Sequence, residues 1–130
     1  MTLLKENVVT STPTSTALQT ASAYHRAWTS GDLDGAFAHI ADDILCRAPG
    51  GDITGKDAYR RYLGGFSQMM TGLTDIAGFG DDEHALLFYY PHTAVTSTAP
   101  AAEHFTIRDG KIVESRLVFD RLSFGPPPQP

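Results

Sequence analysis

Residues 107–120 read IRDGKIVESRLVFD, two apolar-rich runs joined by Asp109-Gly110. Asp-Gly between two such runs is a strong signal for a tight β-hairpin. The hairpin admits two registers. A two-residue loop pairs Arg108 with Lys111 and sets His104 opposite Ser115. A type I turn with Gly110 as a bulge pairs Ile107 with Lys111 and sets His104 opposite Glu114. The second is preferred because it gathers Phe105, Ile107, Val113, Leu117 and Phe119 on one face. His104, Thr106, Glu114, Arg116 and Asp120 then share the other face.

Upstream of the hairpin, strands are expected at about 73–80, 84–95 and 100–108, with the last arm at about 111–122. The N-terminal half reads as helical. Leu18, Ala21, Tyr24 and Trp28 recur at three- and four-residue steps, which predicts a helix from about Ser15 to Ser30. Gly31 stops it, and Asp32 is the N-cap of a short second helix with Leu33, Ala36, Phe37 and Ile40 inward. Asp42-Asp43 leads into a strand, Ile44 to Ala48, and Pro49-Gly50-Gly51-Asp52 reads as a loop. Thr54 and Asp57 suggest a capping box for a third helix, whose stripe includes Tyr59, Tyr62, Leu63, Phe66, Met69 and Met70. The order predicts an α+β domain with three N-terminal helices on a strongly curved, mainly antiparallel sheet.

The 130 residues suit one domain: a flexible arm over 1–14, a folded unit over 15–124 and a Pro-rich tail over 125–130. Ten basic against fifteen acidic side chains give a formal charge of -5, which argues against nucleic acid. No basic helix face suits an anionic membrane, and no stretch approaches the length of a membrane span. Cys46 is the single cysteine, so no internal disulfide forms. No histidine–carboxylate spacing suggests a metal. The start, MTLLKENVVTSTPTS, has no apolar run of signal-peptide length, and a cytoplasmic protein is expected.

The ordered segments AYHRAWTSGD (23–32), LDGAFAHIADDI (33–44), GKDAYRRYLGGF (55–66) and the 107–120 hairpin together resemble the nuclear-transport-factor-2-like superfamily, and within it the SnoaL-like polyketide cyclase group. The resemblance implies a cone-shaped α+β barrel whose mouth opens to a pocket. It also implies a homodimer formed through the sheet. Members include isomerases, dehydratases, hydrolases, aldol cyclases and non-catalytic proteins, so the fold leaves function open.

By this resemblance Tyr24 stands where a ketosteroid isomerase places its oxyanion-binding tyrosine, a neutral donor at pH 7. The isomerase's base falls on Ala48 here, which argues against that reaction. Glu103 lies near the place of its second acid, with differing loop lengths. Asp120 stands where SnoaL-like cyclases carry a general acid/base, a position that can equally serve as a strand cap. His104 is placed to pair with Asp120, or with Arg116 as an oxyanion clamp. Trp28, Phe66, Met69, Met70 and Phe88 suit an apolar cavity wall, and Tyr90 and His92 a pocket lip.

Three functions follow from this pattern. The first is a cofactor-free enzyme acting by general acid/base on a small polyketide- or terpenoid-like molecule, with Asp120, His104 and Tyr24 as its chemistry. The second is a module that holds a small apolar molecule unchanged. The third is a dimerisation domain with a filled interior. A cavity with two convergent polar groups favours the first.

Overall fold

A computed structural model describes residues 15–125; most of the expected tail, and all of the expected arm, lie outside the described residues. Helix α1 (Thr16–Thr29) begins at Ser15, whose hydroxyl accepts the Leu18 amide at 2.9 Å. Its buried face carries Ala17, Ala21, Tyr24, His25 and Trp28. Asp32 caps α2 (Leu33–Phe37) by accepting the Gly35 amide at 2.9 Å, as expected. Helix α2 stops short of Ile40, which already opens β1 (Ile40–Ala48). Asp42 and Asp43 therefore lie inside a strand, where its pairing with β6 shifts register and leaves them exposed.

The expected loop at 49–52 is instead the turn of a hairpin. Gly51–Thr54 form β2, paired antiparallel to β1. With one apolar residue in four, β2 carries no hydrophobic alternation to announce it. Thr54 ends that strand, so the expected capping box does not form. Helix α3 (Lys56–Met69) starts at Gly55 without a side-chain cap.

The rest is β3 (Met70–Gly80), β4 (His84–Thr93), β5 (Ala101–Arg108) and β6 (Lys111–Phe119). After Asp120 a 3₁₀ turn, Arg121–Phe124, replaces the expected end of the last strand. The sheet order is β2-β1-β6-β5-β4-β3, antiparallel except for β1 beside β6. It is an open cone rather than a closed barrel, because β2 and β3 are its two edges. Extra residues at Thr71, Ile76 and Val113 interrupt the ladders, and such bulges add twist and bend.

Neither expected hairpin register is adopted. Asp109 and Gly110 both have positive φ, +52° and +75°, which makes a two-residue turn and pairs Arg108 with Lys111. A bulge at Val113 then shifts the ladder, so His104 faces Arg116. That bulge satisfies both demands at once: the tight turn that Asp-Gly favours, and one continuous inward set. Ala101, Glu103, Phe105 and Ile107 of β5 are buried beside Ile112 and Ser115 of β6.

Helix α1 lies close to β3 at its glycines. A Cβ on Gly80 would stand 2.7 Å from both the His84 carbonyl and the Ser15 hydroxyl, and one on Gly78 would meet Leu18 at 3.2 Å. Gly80→Ala is expected to destabilise the chain by roughly 1–3 kcal/mol, read as a fall in urea midpoint. A variant as stable as the wild type would mean that the helix does not need this approach.

Candidate functional site

The centre of the cone holds a carboxyl. Glu103 is 2% exposed, on the inward face of β5. Its Oε2 accepts the Ser115 hydroxyl at 2.8 Å and the Tyr59 hydroxyl at 3.3 Å, and its Oε1 accepts the Tyr89 hydroxyl at 3.3 Å. Tyr59 gives its one hydrogen to Glu103, so Tyr24, 2.5 Å away, donates to the Tyr59 oxygen. Four elements converge here: α1 brings Tyr24, α3 Tyr59, β4 Tyr89 and β6 Ser115.

Burial pushes the Glu103 carboxyl up to about 7, although the three hydroxyls that bond it pull the other way. A carboxyl near neutrality holds or releases a proton under ordinary conditions. Burial, with neighbouring Tyr59 and Glu103, holds the Tyr24 hydroxyl well above its usual range. Tyr59 and Tyr89 are raised by burial and then by Glu103, so all three stay neutral donors. Burial pushes the Cys46 thiol up to about 12, which leaves it protonated and unreactive.

A cavity of about 30 Å³ opens against this network, lined by Glu103, Tyr59, Tyr89, Trp28, Phe66 and further apolar residues. It has room for roughly two waters and no organic molecule. Trp28 lines this cavity, and its buried indole N–H has no hydrogen-bond partner among the described residues. Outside lies a broad open groove of about 980 Å³ between the β1–β2 turn, α3 and the 3₁₀ turn. Among the described residues no group of three or more His, Cys, Asp or Glu could hold a metal ion.

Of the residues singled out beforehand, Trp28 and Phe66 line the cavity, and Tyr24 stands one hydrogen bond behind it. Asp120 and His104 are not brought together. Asp120 is exposed at the groove, and its two oxygens accept the Leu122 amide at 3.2 Å and the Ser123 hydroxyl at 2.8 Å. His104 lies on the outer sheet face, stacked on His84 at 5.3 Å. It pairs with Arg116, four residues from Asp120 along β6, roughly 13 Å of strand. Arg116 also points outward and binds Glu114 at 2.9 Å. Phe88, Tyr90 and His92 alternate on that same outer face, where His92 bonds Thr74 at 2.9 Å. Met70 packs on the core without lining the cavity, and Met69 lines the groove.

The residues that sequence reasoning underweighted are Glu103, Tyr59, Tyr89 and Ser115. Strand alternation was the available signal, since Glu103 shares a parity with Phe105 and Ile107. His25, next to Tyr24 on α1, is also buried, bonded to Asp75 at 2.9 Å, with its ring against Tyr89.

Residues 21–115 match the family model described as a SnoaL-like domain. The chain belongs to the SnoaL-like family. A protein from Kribbella flavida DSM 17836 is 48% identical in a crystal structure, over 84% of this chain and 90% of that one, with a TM-score of 0.82. A SnoaL-like protein from Burkholderia thailandensis E264 is 21% identical over 81% of this chain and 95% of its own, with a TM-score of 0.69. TerC, co-crystallised with polyporic acid, is 18% identical over 85% and 95%, with a TM-score of 0.70. The last two likenesses concern the SnoaL-like fold alone. No curated protein matches the chain. Among the described residues no helix is long and apolar enough to cross a membrane.

Glu103 in the folded SnoaL-like domain holds its proton more tightly than in the unfolded chain, where the ordinary value is 4.5. Its contribution to stability is therefore complete below 4.5 and is lost as pH rises through about 7, a loss on the order of 3 kcal/mol. Burial lowers the His25 pKa, so His25 acts in the opposite sense, its stability fading as pH falls. Comparison with Glu103→Gln cancels that term. Urea unfolding from pH 4 to 8 is expected to show the wild type losing ground to Glu103→Gln as pH rises. A difference independent of pH would rule out the shifted carboxyl.

Proposed function

We propose that this SnoaL-like chain is a cofactor-free enzyme acting by general acid/base on a small, mostly apolar molecule, with Glu103 as the group that takes and returns the proton. The observation that carries this reading is a fully buried carboxyl poised at about 7 on the wall of an apolar cavity. Proton transfer of this kind needs only a positioned acid/base group and a donor for the oxygen that gains charge. The network supplies both. When Glu103 takes a proton from an acidic carbon, it no longer draws on all three hydroxyls. Tyr59 or Tyr89 is then free to turn its O–H toward the developing enolate oxygen, and Tyr24 keeps Tyr59 supplied from behind. The proton returns from Glu103 to carbon or to an alkoxide, which fits isomerisation, dehydration or aldol closure of a polyketide- or terpenoid-like ligand. Asp120, with both oxygens engaged by the turn that follows it, is assigned no proton.

A second reading, a non-catalytic dimerisation domain with a nearly filled interior, is favoured by the small size of the closed cavity. There Glu103 and its hydroxyl donors would serve only to hold the core together.

A homodimer through the outer sheet face forms part of this proposal. Phe79 and Val118 are each 66% exposed on that face, with Leu86 and Phe88 between them. A contiguous apolar surface of this kind suits a second copy of the chain. Phe79→Glu combined with Val118→Glu is expected to give a monomer by light scattering where the wild type is a dimer. A monomeric wild type would overturn the dimer.

The reaction class is tested with 2-tetralone, an apolar ketone with acidic α-hydrogens, in deuterated buffer. The wild type is expected to speed α-deuteration, with a rate that rises as Glu103 ionises through about 7. Glu103→Gln is expected to lose about 10²- to 10⁴-fold of that rate. Exchange no faster than in buffer would favour the non-catalytic reading, and fast exchange unchanged in Glu103→Gln would remove Glu103 from the role.

A further inference from the structure

The small cavity and the large groove share one wall, since Tyr62, Phe66, Phe119 and Phe124 line both. Phe66, Phe119 and Phe124 contact one another as a closed triad, with ring centroids 5.5, 5.5 and 6.3 Å apart. Tyr62 and Phe66 are rooted in α3, and Phe119 is rooted in β6 opposite Ala101. Phe124 differs, because it rides on a single 3₁₀ turn between Asp120 and Gly125.

That turn is lightly held. Leu122 on it is 69% exposed, while Phe124 is inserted at 8%. Asp120 latches the turn through the Leu122 amide and the Ser123 hydroxyl. Gly125 closes it at φ +119°, a region open to glycine and strained for other residues. Below the turn, Gly65 presents bare helix to the groove. A Cβ there would meet nothing within 4 Å and its φ is not positive, so neither crowding nor backbone conformation requires the glycine.

We propose that Phe124 is the gate between groove and cavity, and that Asp120 is a positioning residue that latches it. A ligand enters from the groove, and a ring-sized apolar head takes the place of the Phe124 side chain against Glu103 and Trp28. The remainder of the molecule lies along the groove over Gly65. The inference rests on the reading that the Glu103 cavity is the working site, and it explains how a closed space of about 30 Å³ serves one. It also fixes a ligand class: an extended molecule with one flat apolar end. Loss of a capping side chain is expected to raise the open population about fivefold.

Trp28 lines the cavity and is the only tryptophan, so its fluorescence reports access. The test is acrylamide quenching of the full chain, with circular dichroism to confirm the fold. Weak quenching is expected in the wild type. Phe124→Ala and Asp120→Ala should raise the quenching constant several-fold. Asp120→Asn, which still caps, and Leu122→Ala, on the outer side of the same turn, should leave it unchanged. Should Phe124→Ala fail to fold, Asp120→Ala carries the test alone. Wild-type quenching in folded Phe124→Ala and Asp120→Ala would overturn the gate. So would a rise in Asp120→Asn equal to that in Asp120→Ala. Because quenching involves no reaction, a gate that fails while Glu103-dependent exchange persists is distinct from a gate that holds while exchange is absent.

Discussion

A carboxyl cannot be buried in an apolar interior without donors, because an unpaired charge or acceptor there costs several kcal/mol. Glu103 meets that demand with hydroxyls drawn from α3, β4 and β6, and indirectly from α1. Each of these elements must therefore hold its residue to within hydrogen-bond range of one point. The close seat of α1 on the glycines of β3, and the bulge that sets Ser115 opposite Phe105, both serve that convergence. The same burial that raises the Glu103 pKa also holds the tyrosines neutral.

The sheet divides the molecule into two chemistries. Its inner face is apolar apart from the Glu103 network, Thr93 and, on the edge strand, Asp75 bonded to His25. Its outer face carries the histidine pair, the Arg47–Glu114–Arg116 cluster and exposed Phe79, Leu86 and Val118. His104 and Arg116 belong to the outer face by strict alternation along their strands, so the acid/base pairing expected with Asp120 had no route to the cavity. Asp120 falls where the strand has ended, and its side chain does what an aspartate at that junction does readily: it caps the next turn.

The SnoaL-like fold leaves the reaction open. The interior of this chain holds a tyrosine pair, Tyr24 on α1 and Tyr59 on α3, that leads to a buried acid on β5. The cavity's lining combines one carboxyl and its tyrosine donors with aromatic and aliphatic side chains.

Much of this architecture was legible from residue order. Helical spacing in α1, the Asp32 cap and the place of the Asp-Gly hairpin depend on neighbours a few residues away, and local rules read them correctly, although the preferred type I turn gives way to a two-residue one. Strand alternation also contained the inward parity of Glu103, although its weight did not show, because parity gives a side and not a partner. What only the tertiary structure decided was distance: that Tyr24, Tyr59, Tyr89 and Ser115, up to 91 positions apart, meet at one carboxyl. Strand β2 and the Val113 bulge lie in hairpins close in sequence, yet one apolar residue in four and a single extra residue offer no alternation to read. The seating of Phe124 on Phe66 at the cavity joins segments remote in the chain, and such contacts leave no periodic mark in the sequence.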